Sequence, residues 1–222
     1  MSASFNPVLR LRAAVNRWRR RCWRALFFRM LFGERGTGDG QLLLARARIS
    51  PATVIEHEEN LWLADDVFIG HFNYIEASAG VRIGSGAQIT NFVSIVSHST
   101  HRSVRVAAAL SGAADLDGAE RAGDLRAPIE IGACCFIGPH STLEAGARLG
   151  RACLVHSHSR VRGVFGDYAV IAGNPARVTG DVREQDARWL RQHPQYRDAY
   201  NRWLAGLPAT ADVADARKDE AP

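Results

Sequence analysis

The sequence lacks the features that would mark it as a zinc, secreted or membrane protein. No Cys-x-x-Cys pair and no zinc-ligand spacing occurs among its four cysteines, Cys22, Cys134, Cys135 and Cys153. No apolar run approaches the ~18 residues that a membrane-spanning helix needs. The start of the chain has no apolar segment ahead of a small-residue cleavage site, which argues against a secretory signal. These absences predict reduced thiols and a cytoplasmic protein.

Lysine is nearly absent, since Lys218 is the single one, and arginine supplies the basic charge. The first 35 residues hold nine Arg and one acidic residue, a balance of +8, so a net charge of +5 leaves about −3 for the rest. The body of the chain therefore has no excess of positive charge for a nucleic-acid partner. Residues 1–48 form a basic arm, and Val15 to Phe32 predict an amphipathic helix. Such a helix either docks on the anionic inner face of a membrane or packs against the protein.

A six-residue repeat dominates the middle of the chain and predicts an all-β solenoid. Neither a helical nor a simple strand period explains it, whereas a short strand and a turn every six residues do. A mostly small residue stands four positions after each large aliphatic, and glycine often follows the aliphatic directly, where we expect it to supply positive φ angles. The large aliphatics are Leu63, Ile69, Ile75, Ile83, Ile89, Ile95, Ile131, Ile137, Leu143, Leu149, Val155 and Val161.

The repeat also sets the predicted boundaries. The solenoid extends over residues 49–180, and a loop at residues 97–127 interrupts it. A loop of that length inside a compact domain is usually functional. Residues 181–206 predict helices with a break near Pro194, and residues 207–222 predict a disordered tail.

Three phrases of the sequence resemble the hexapeptide-repeat acyltransferases, which include galactoside, maltose and polysaccharide O-acetyltransferases. They are IGSGAQIT at Ile83–Thr90, PIEIGACCFIGPHSTL at Pro128–Leu143 and VIAGNPARV at Val170–Val178. The resemblance covers roughly residues 49–180. It implies a left-handed parallel β-helix, a homotrimer, and acetyl-CoA as the acyl donor with no metal.

Acyl transfer to a hydroxyl or an amine requires a base that removes the acceptor's proton, and histidine suits that task. His98 opens the long loop, at the place where the family carries its catalytic histidine. We therefore expect His98 to be the general base and His101 to help bind the acceptor.

Asn73 and Glu76 are the next candidates. Asn73 occupies a small-residue position, where a polar amide needs hydrogen-bond partners. The segment from Phe72 to Glu76 resembles the stretch that supplies acceptor-site residues in galactoside acetyltransferases. This resemblance implies that Asn73 supports the acceptor or the oxyanion and that Glu76 binds acceptor hydroxyls. The alternatives are a structural Asn73 and a solvated Glu76.

His71 and Asn91 fall on one corner of the predicted prism together with His140, His156 and His158. That corner either lines a substrate cleft between subunits or is an ordinary solvated edge. The resemblance implies that the pantetheine arm of coenzyme A contacts Ser157, Gly173, Asn174, Pro175 and Ala176. Guanidinium groups suit the phosphates of coenzyme A, and the nearby candidates are Arg160, Arg162 and Arg177.

The sequence leaves alternatives for the acceptor and for the class of reaction. A sugar of lipopolysaccharide or capsule, nucleotide-activated or lipid-linked, is the expected acceptor for O-acetylation. N-acetylation of an amino sugar is the second reading. A metalloenzyme resembling the γ-class carbonic anhydrases needs two histidines separated by four residues, whereas two residues separate His98 and His101. A non-catalytic β-helical scaffold would not need a long loop that begins with histidine.

Overall fold

The computed structural model describes residues 7–27, 29–32, 44–109 and 123–206. The predicted tail at residues 207–222, most of the arm after Phe32, and residues 110–122 of the loop lie outside the described residues. The helices are α1 (Pro7–Phe27), α2 (Ser103–Ala109), α3 (Val182–Gln192) and α4 (Arg197–Gly206), with short 3-10 helices at Glu58–Asn60 and Pro194–Tyr196.

The strands are short and numerous, as a six-residue repeat requires. In chain order they are β1 (Leu31–Phe32), β2 (Arg48–Ile49), β3 (Val54–Glu56), β4 (Leu61–Leu63), β5 (Phe68–Ile69), β6 (Tyr74–Glu76), β7 (Val81–Ile83), β8 (Gln88–Ile89), β9 (Ser94–Val96), β10 (His98–Ser99), β11 (Leu125–Arg126), β12 (Ile129–Ile131), β13 (Phe136–Ile137), β14 (Thr142–Glu144), β15 (Arg148–Leu149), β16 (Leu154–Val155), β17 (Arg160–Val161), β18 (Val164–Phe165), β19 (Ala169–Gly173) and β20 (Ala176–Asp181).

These strands form three parallel sheets that wind as a solenoid of five coils. Face 1 consists of β2, β5, β8, β13, β16 and β19; face 2 of β3, β6, β9, β14 and β17; face 3 of β4, β7, β12, β15 and β18. Antiparallel strands close both edges of face 1, because β1 pairs with β2 and β20 pairs with β19. The predicted fold class, a left-handed parallel β-helix with flanking helices, is confirmed.

The predicted aliphatic positions form the core. On face 1, Ile69, Ile89 and Ile137 align on successive coils and are fully buried. On face 2, Ile75, Ile95 and Leu143 do the same. Each such side chain contributes roughly 1.5–3 kcal/mol when it is removed from water. The two-residue offset after Ile75 has a simple cause, since β7 turns two side chains inward, Val81 and Ile83.

Glycines that follow the aliphatics serve a different purpose from the one predicted. A Cβ on Gly84 would lie 2.6 Å from the backbone nitrogen of Ala133 on the next coil, and one on Gly138 would lie 2.6 Å from that of Ser157. These positions need glycine because neighbouring coils approach closely there. Positive φ angles occur instead at turn residues such as Phe72 and His140.

The terminal helices differ in detail from the prediction. Helix α1 begins at Pro7, eight residues before the predicted start, and ends at Phe27, while Leu31 and Phe32 are in β1 rather than in a helix. After the solenoid, the Asp181 side chain caps α3 by accepting a hydrogen bond from the Arg183 backbone N–H. The chain breaks at Pro194 as predicted, and Leu190 is the buried anchor of α3. None of the described helices is long and apolar enough to cross a bilayer.

Two corners of the prism carry the predicted site residues. We call the turns between faces 1 and 2 the ladder corner, which comprises residues 70–73, 90–93, 138–141 and 156–159. We call the turns between faces 2 and 3 the loop corner, which comprises residues 77–80, 97–109, 123–128, 145–147 and 162–163. Face 2 separates the two corners.

Candidate active site

The long loop leaves the solenoid at His98 and returns beside it. Strand β10 pairs antiparallel with β11, so that His98 faces Arg126 and Ser99 faces Leu125. The loop is therefore rooted in a short hairpin, and helix α2 extends from that hairpin. This arrangement fixes the backbone of His98 at the loop corner, while its side chain remains 33% exposed.

Beneath His98 lies the carboxylate of Glu76, which is 1% exposed. Glu76 Oε2 is 2.8 Å from His98 Nδ1. The same oxygen accepts hydrogen bonds from the Ser97 hydroxyl at 3.0 Å and from the backbone N–H groups of Ser97 and His98 at 3.1 and 3.2 Å. Glu76 Oε1 accepts one from the backbone N–H of Ser78 at 2.8 Å. Every contact favours the ionised carboxylate.

The electrostatics of Glu76 follow from those bonds. Burial by itself raises the pKa of Glu76, but hydrogen bonds from Ser78, His98 and Ser97 outweigh burial and lower the pKa to about 2. A carboxylate that stays charged requires a proton on His98 Nδ1, so Nε2 carries the lone pair of the neutral ring. The buried Glu76 carboxylate thus sets the orientation and the tautomer of the His98 ring.

Glu76 therefore does not occupy the position predicted for it. A side chain that is buried and hydrogen-bonded through both oxygens cannot also bind acceptor hydroxyls, and it positions His98 instead. Sequence reasoning missed this pairing although a signal existed. Residues 76 and 98 are separated by little more than one coil, and Glu76 aligns with Val96 on the next coil of face 2.

Asn73 is likewise a structural residue in this fold. It is 2% exposed, and its Nδ2 donates to the carbonyls of Gly70 at 3.0 Å and Thr90 at 2.8 Å. Its Oδ1 accepts from the Val93 N–H at 2.8 Å. The amide thereby joins two coils at the ladder corner and retains no N–H for an oxyanion. These contacts fit the structural alternative for Asn73, and its role in the acceptor site stays a prediction.

A cleft of about 460 Å³ opens beside His98 at the loop corner. It brings together residues that the sequence predicted for two different tasks. His98 and His101 come from the root of the loop, while Arg160 and Arg162 come from the last coil of face 2. His101 Nδ1 lies 2.8 Å from the Ser99 hydroxyl. Glu144 also lines the cleft and lies 3.8 Å from Arg160.

The remaining predicted residues lie around the ladder corner, on the other side of face 2. His71 Nδ1 is 2.6 Å from the Ser50 hydroxyl, and the backbone N–H of His71 donates to Asn91 Oδ1 at 2.7 Å. Ser157 is exposed in the turn of the fifth coil. A row of stacked rings lines the same corner, with centroids 5.0–5.2 Å apart: Phe72, Phe92, His140 and His158.

The predicted donor turn forms the hairpin between β19 and β20. Gly173 has a φ of 102°, the Asn174–Pro175 peptide is cis, and Gly173 pairs with Ala176 across the turn. Arg177 donates to the carbonyl of Ala176 at 2.9 Å. The hairpin continues the row of Val155 and Ile171 on face 1, which places it next to the turn that holds Ser157. The structure thus separates this group from His98, whereas β17, which holds Arg160, contacts the hairpin.

Within the part of the chain that the structure describes, no three His, Cys, Asp or Glu side chains are grouped as metal ligands would be.

Comparison with solved structures supports the fold. A hexapeptide-repeat-containing acetyltransferase from Vibrio cholerae matches with a TM-score of 0.51 and 18% identity, over 68% of this chain and 75% of that one. The chain has the hexapeptide-repeat acetyltransferase fold. A galactoside acetyltransferase in complex with coenzyme A matches less closely, with a TM-score of 0.44 and 20% identity over 63% of each chain.

Sequence comparison finds a curated relative that is also named as an acetyltransferase. A probable acetyltransferase of Mycobacterium tuberculosis is 27% identical over 137 residues, which are 62% of this chain. The matched part covers 41% of that relative, so the alignment leaves more than half of its length unmatched. No protein-family model matches the chain.

Proposed function

We propose that this chain is an acyl-CoA-dependent acyltransferase that transfers an acetyl group from acetyl-CoA to a sugar, with His98 as general base. The observation that carries the proposal is the buried Glu76 carboxylate at 2.8 Å from His98 Nδ1, with the imidazole exposed to a cleft. A carboxylate–imidazole pair of this kind suits proton removal from a hydroxyl or amine. The fold and the curated relative support the acyl-transfer class.

His98 Nε2 takes the proton from the acceptor hydroxyl as the hydroxyl oxygen attacks the thioester carbonyl carbon. The new C–O bond forms, the carbon–sulfur bond breaks, and His98 returns the proton to the departing thiolate. Glu76 holds the ring and stabilises the transient imidazolium, because its charge is fixed at 2.8 Å. The reaction requires no covalent intermediate on the enzyme.

A thiol-release assay with acetyl-CoA and a panel of sugars and nucleotide sugars tests the proposal. We expect His98→Ala to lower turnover by roughly 10²- to 10⁴-fold. His57→Ala serves as the matched control, since His57 lies in an exposed turn of the first coil. Full activity in His98→Ala would overturn the assignment of the base, and no thiol release with any acceptor would overturn the activity.

We propose O-acetylation of a sugar in lipopolysaccharide or capsule synthesis as the reaction, with N-acetylation of an amino sugar as the second candidate. The loop sequence SHSTHRS, residues 97–103, and the C-terminal helices resemble those of the acetyltransferases that modify lipopolysaccharide or capsule sugars, which supports this acceptor class. An amine acceptor would use the same His98, so product analysis by mass spectrometry and alkaline lability distinguishes the ester from the amide.

We further propose that the active enzyme is a homotrimer whose sites form between subunits. The group that holds His98 lies at the loop corner, whereas Ser157 and the turn from Gly173 to Arg177 lie around the ladder corner. One copy separates these groups by the width of face 2. A second copy that brings its ladder corner to the first copy's loop corner would place the acyl donor beside the base.

The composition of helix α1 favours a further partner, the anionic inner face of a membrane. It carries seven Arg and no acidic residue over 21 residues. Leu11, Val15, Trp18 and Leu26 follow one another at helical spacing and are 46–73% exposed. A row of exposed apolar side chains flanked by arginines suits a helix that lies in the headgroup region of a bilayer. A cytoplasmic enzyme bound there would act on lipid-linked glycans.

A further inference from the structure

We propose that the acceptor of this enzyme carries an acidic group, a phosphate or a carboxylate, and that Arg160 and Arg162 bind that group next to His98. The inference rests on the proposed acyl transfer and names the chemical class of its second substrate. It also reassigns two arginines that the sequence placed with coenzyme A.

The alignment of face 2 places the two arginines close to the base. Val96, two residues before His98, aligns with Glu144 on the next coil. Thr142 of that coil aligns in turn with Arg160 on the coil after it. Neighbouring coils are about 4.8 Å apart, so Arg160 and Arg162 belong to a coil only two steps from the one that carries His98. All three side chains line one cleft of about 460 Å³.

The charge of the cleft favours an anion. Glu144 is the one carboxylate among the described residues that line it, facing Arg160, Arg162 and two histidines. Glu144 lies 3.8 Å from Arg160 Nε, longer than a charge-assisted hydrogen bond, and the Arg160 side chain remains 48% exposed. Arg162 is exposed as well. Two guanidinium groups two residues apart, one in β17 and one just after it, can bind a phosphate or a carboxylate through paired N–H donors.

The position of this anion relative to His98 identifies the substrate that carries it. Coenzyme A bears its phosphates at the opposite end of the pantetheine arm from the thioester. An acetyl group beside His98 therefore places those phosphates far from the imidazole. An anion at Arg160 and Arg162 shares the cleft of the imidazole, where the acceptor hydroxyl must lie. The acceptor is the substrate that meets both requirements.

The test compares matched acceptors in the thiol-release assay: a neutral sugar, the same sugar as a phosphate ester, its nucleotide diphosphate form, and its uronic acid. We expect the charged forms to be preferred. Arg160→Gln with Arg162→Gln should raise the KM for the charged acceptor by about 10- to 100-fold, the loss expected for bonds to a charged group. The KM for acetyl-CoA should change less than about twofold. Arg148→Gln, on face 3, is the control.

Direct binding gives a second readout that does not depend on turnover. Calorimetry with inorganic pyrophosphate and with glucuronate, on His98→Ala protein, distinguishes a phosphate site from a carboxylate site. The double arginine variant should lose the binding that His98→Ala retains. A rise in the KM for acetyl-CoA, or equal use of neutral and charged acceptors, would overturn the inference while leaving the acyl transfer intact. Absence of thiol release with every acceptor would instead remove the proposed function itself.

Discussion

Single residues divide the chemistry of the loop corner between a buried acid and an exposed base. Glu76 lies in a shell of hydrogen bonds from Ser78, Ser97 and His98, and of the acid and the base it is His98 that lines the cleft. In the proposed mechanism, proton transfer therefore depends on a side chain, Glu76, that never touches a substrate. Such a positioning residue should affect turnover more than binding.

Replacing Glu76 with Gln tests this division. The variant keeps the shape of the side chain but removes the charge that stabilises the imidazolium, so we expect kcat to fall on the order of 10- to 100-fold. The KM for acetyl-CoA should stay within about twofold. Glu56→Gln, at the aligned position of the preceding coil, should leave kcat unchanged. A fall in the amount of folded protein with normal kcat would indicate a purely structural role.

The same carboxylate makes stability depend on pH. The pKa of Glu76 is about 2 in the folded chain against an ordinary value of 4.5. A lowered pKa stabilises the fold above pH 4.5, and this contribution disappears as the pH falls from 4.5 toward 2. The difference in unfolding free energy between the native protein and Glu76→Gln should therefore shrink by up to about 3 kcal/mol over that range. Urea titrations at several pH values measure it, and a constant difference contradicts the prediction.

In successive coils a glycine often follows the inward aliphatic residue, and the surroundings of these glycines show why. At Gly84 the next coil passes so closely that a methyl group would meet the backbone of Ala133. Gly166 stands at the corresponding corner of a later coil, where a Cβ would have nothing within 4 Å. The two glycines share a sequence context but not a steric environment.

Alanine at these two positions gives a matched comparison. Gly84→Ala should lower the unfolding free energy by about 1–3 kcal/mol, because the backbones of two coils must separate. Gly166→Ala should be neutral or slightly stabilising, because the alanine restricts the unfolded chain and meets no neighbour. Thermal unfolding of both variants checks the prediction. Equal destabilisation would show that close approach of the coils is not the reason for glycine.

The sequence allowed the elements to be predicted well where one period governs them. The aliphatic positions from Ile69 to Val161 were identified because each coil repeats the same burial. The role of glycine was predicted incorrectly because the sequence does not show which backbone atoms of the next coil lie close to each glycine. The contacts of Asn73 and Glu76 were not predicted for a related reason: their partners, Val93 and His98, lie one coil away, and the alignment of coils sets those contacts.

For the whole molecule, the separation of the two corners leads to a test of assembly. In a trimer with shared sites, His98→Ala and Ser157→Trp inactivate different halves of a site. Random mixing of the two inactive variants restores an intact pair at about one site in four. We expect co-expressed protein to recover about a quarter of the native activity. Mixed subunits without activity would place the whole site within one chain.

The basic helix α1 predicts lipid selectivity. The full chain should sediment with vesicles that contain anionic lipid and much less with purely zwitterionic vesicles, and added salt should weaken the binding. Arg19→Gln with Arg20→Gln should reduce the bound fraction, whereas Arg191→Gln in α3 should not. Binding to duplex RNA or DNA with equal strength would contradict a lipid-specific role.

The hairpin of β10 and β11 has a consequence for how this protein can evolve. His98 is fixed from below by Glu76, and the loop emerges and returns above it. Residues can be added to or removed from that excursion without displacing the imidazole or its carboxylate. If His98 is the base, choice of acceptor and capacity for proton transfer therefore respond to separate mutations, so that the loop can diverge while the proton-transfer pair is inherited intact.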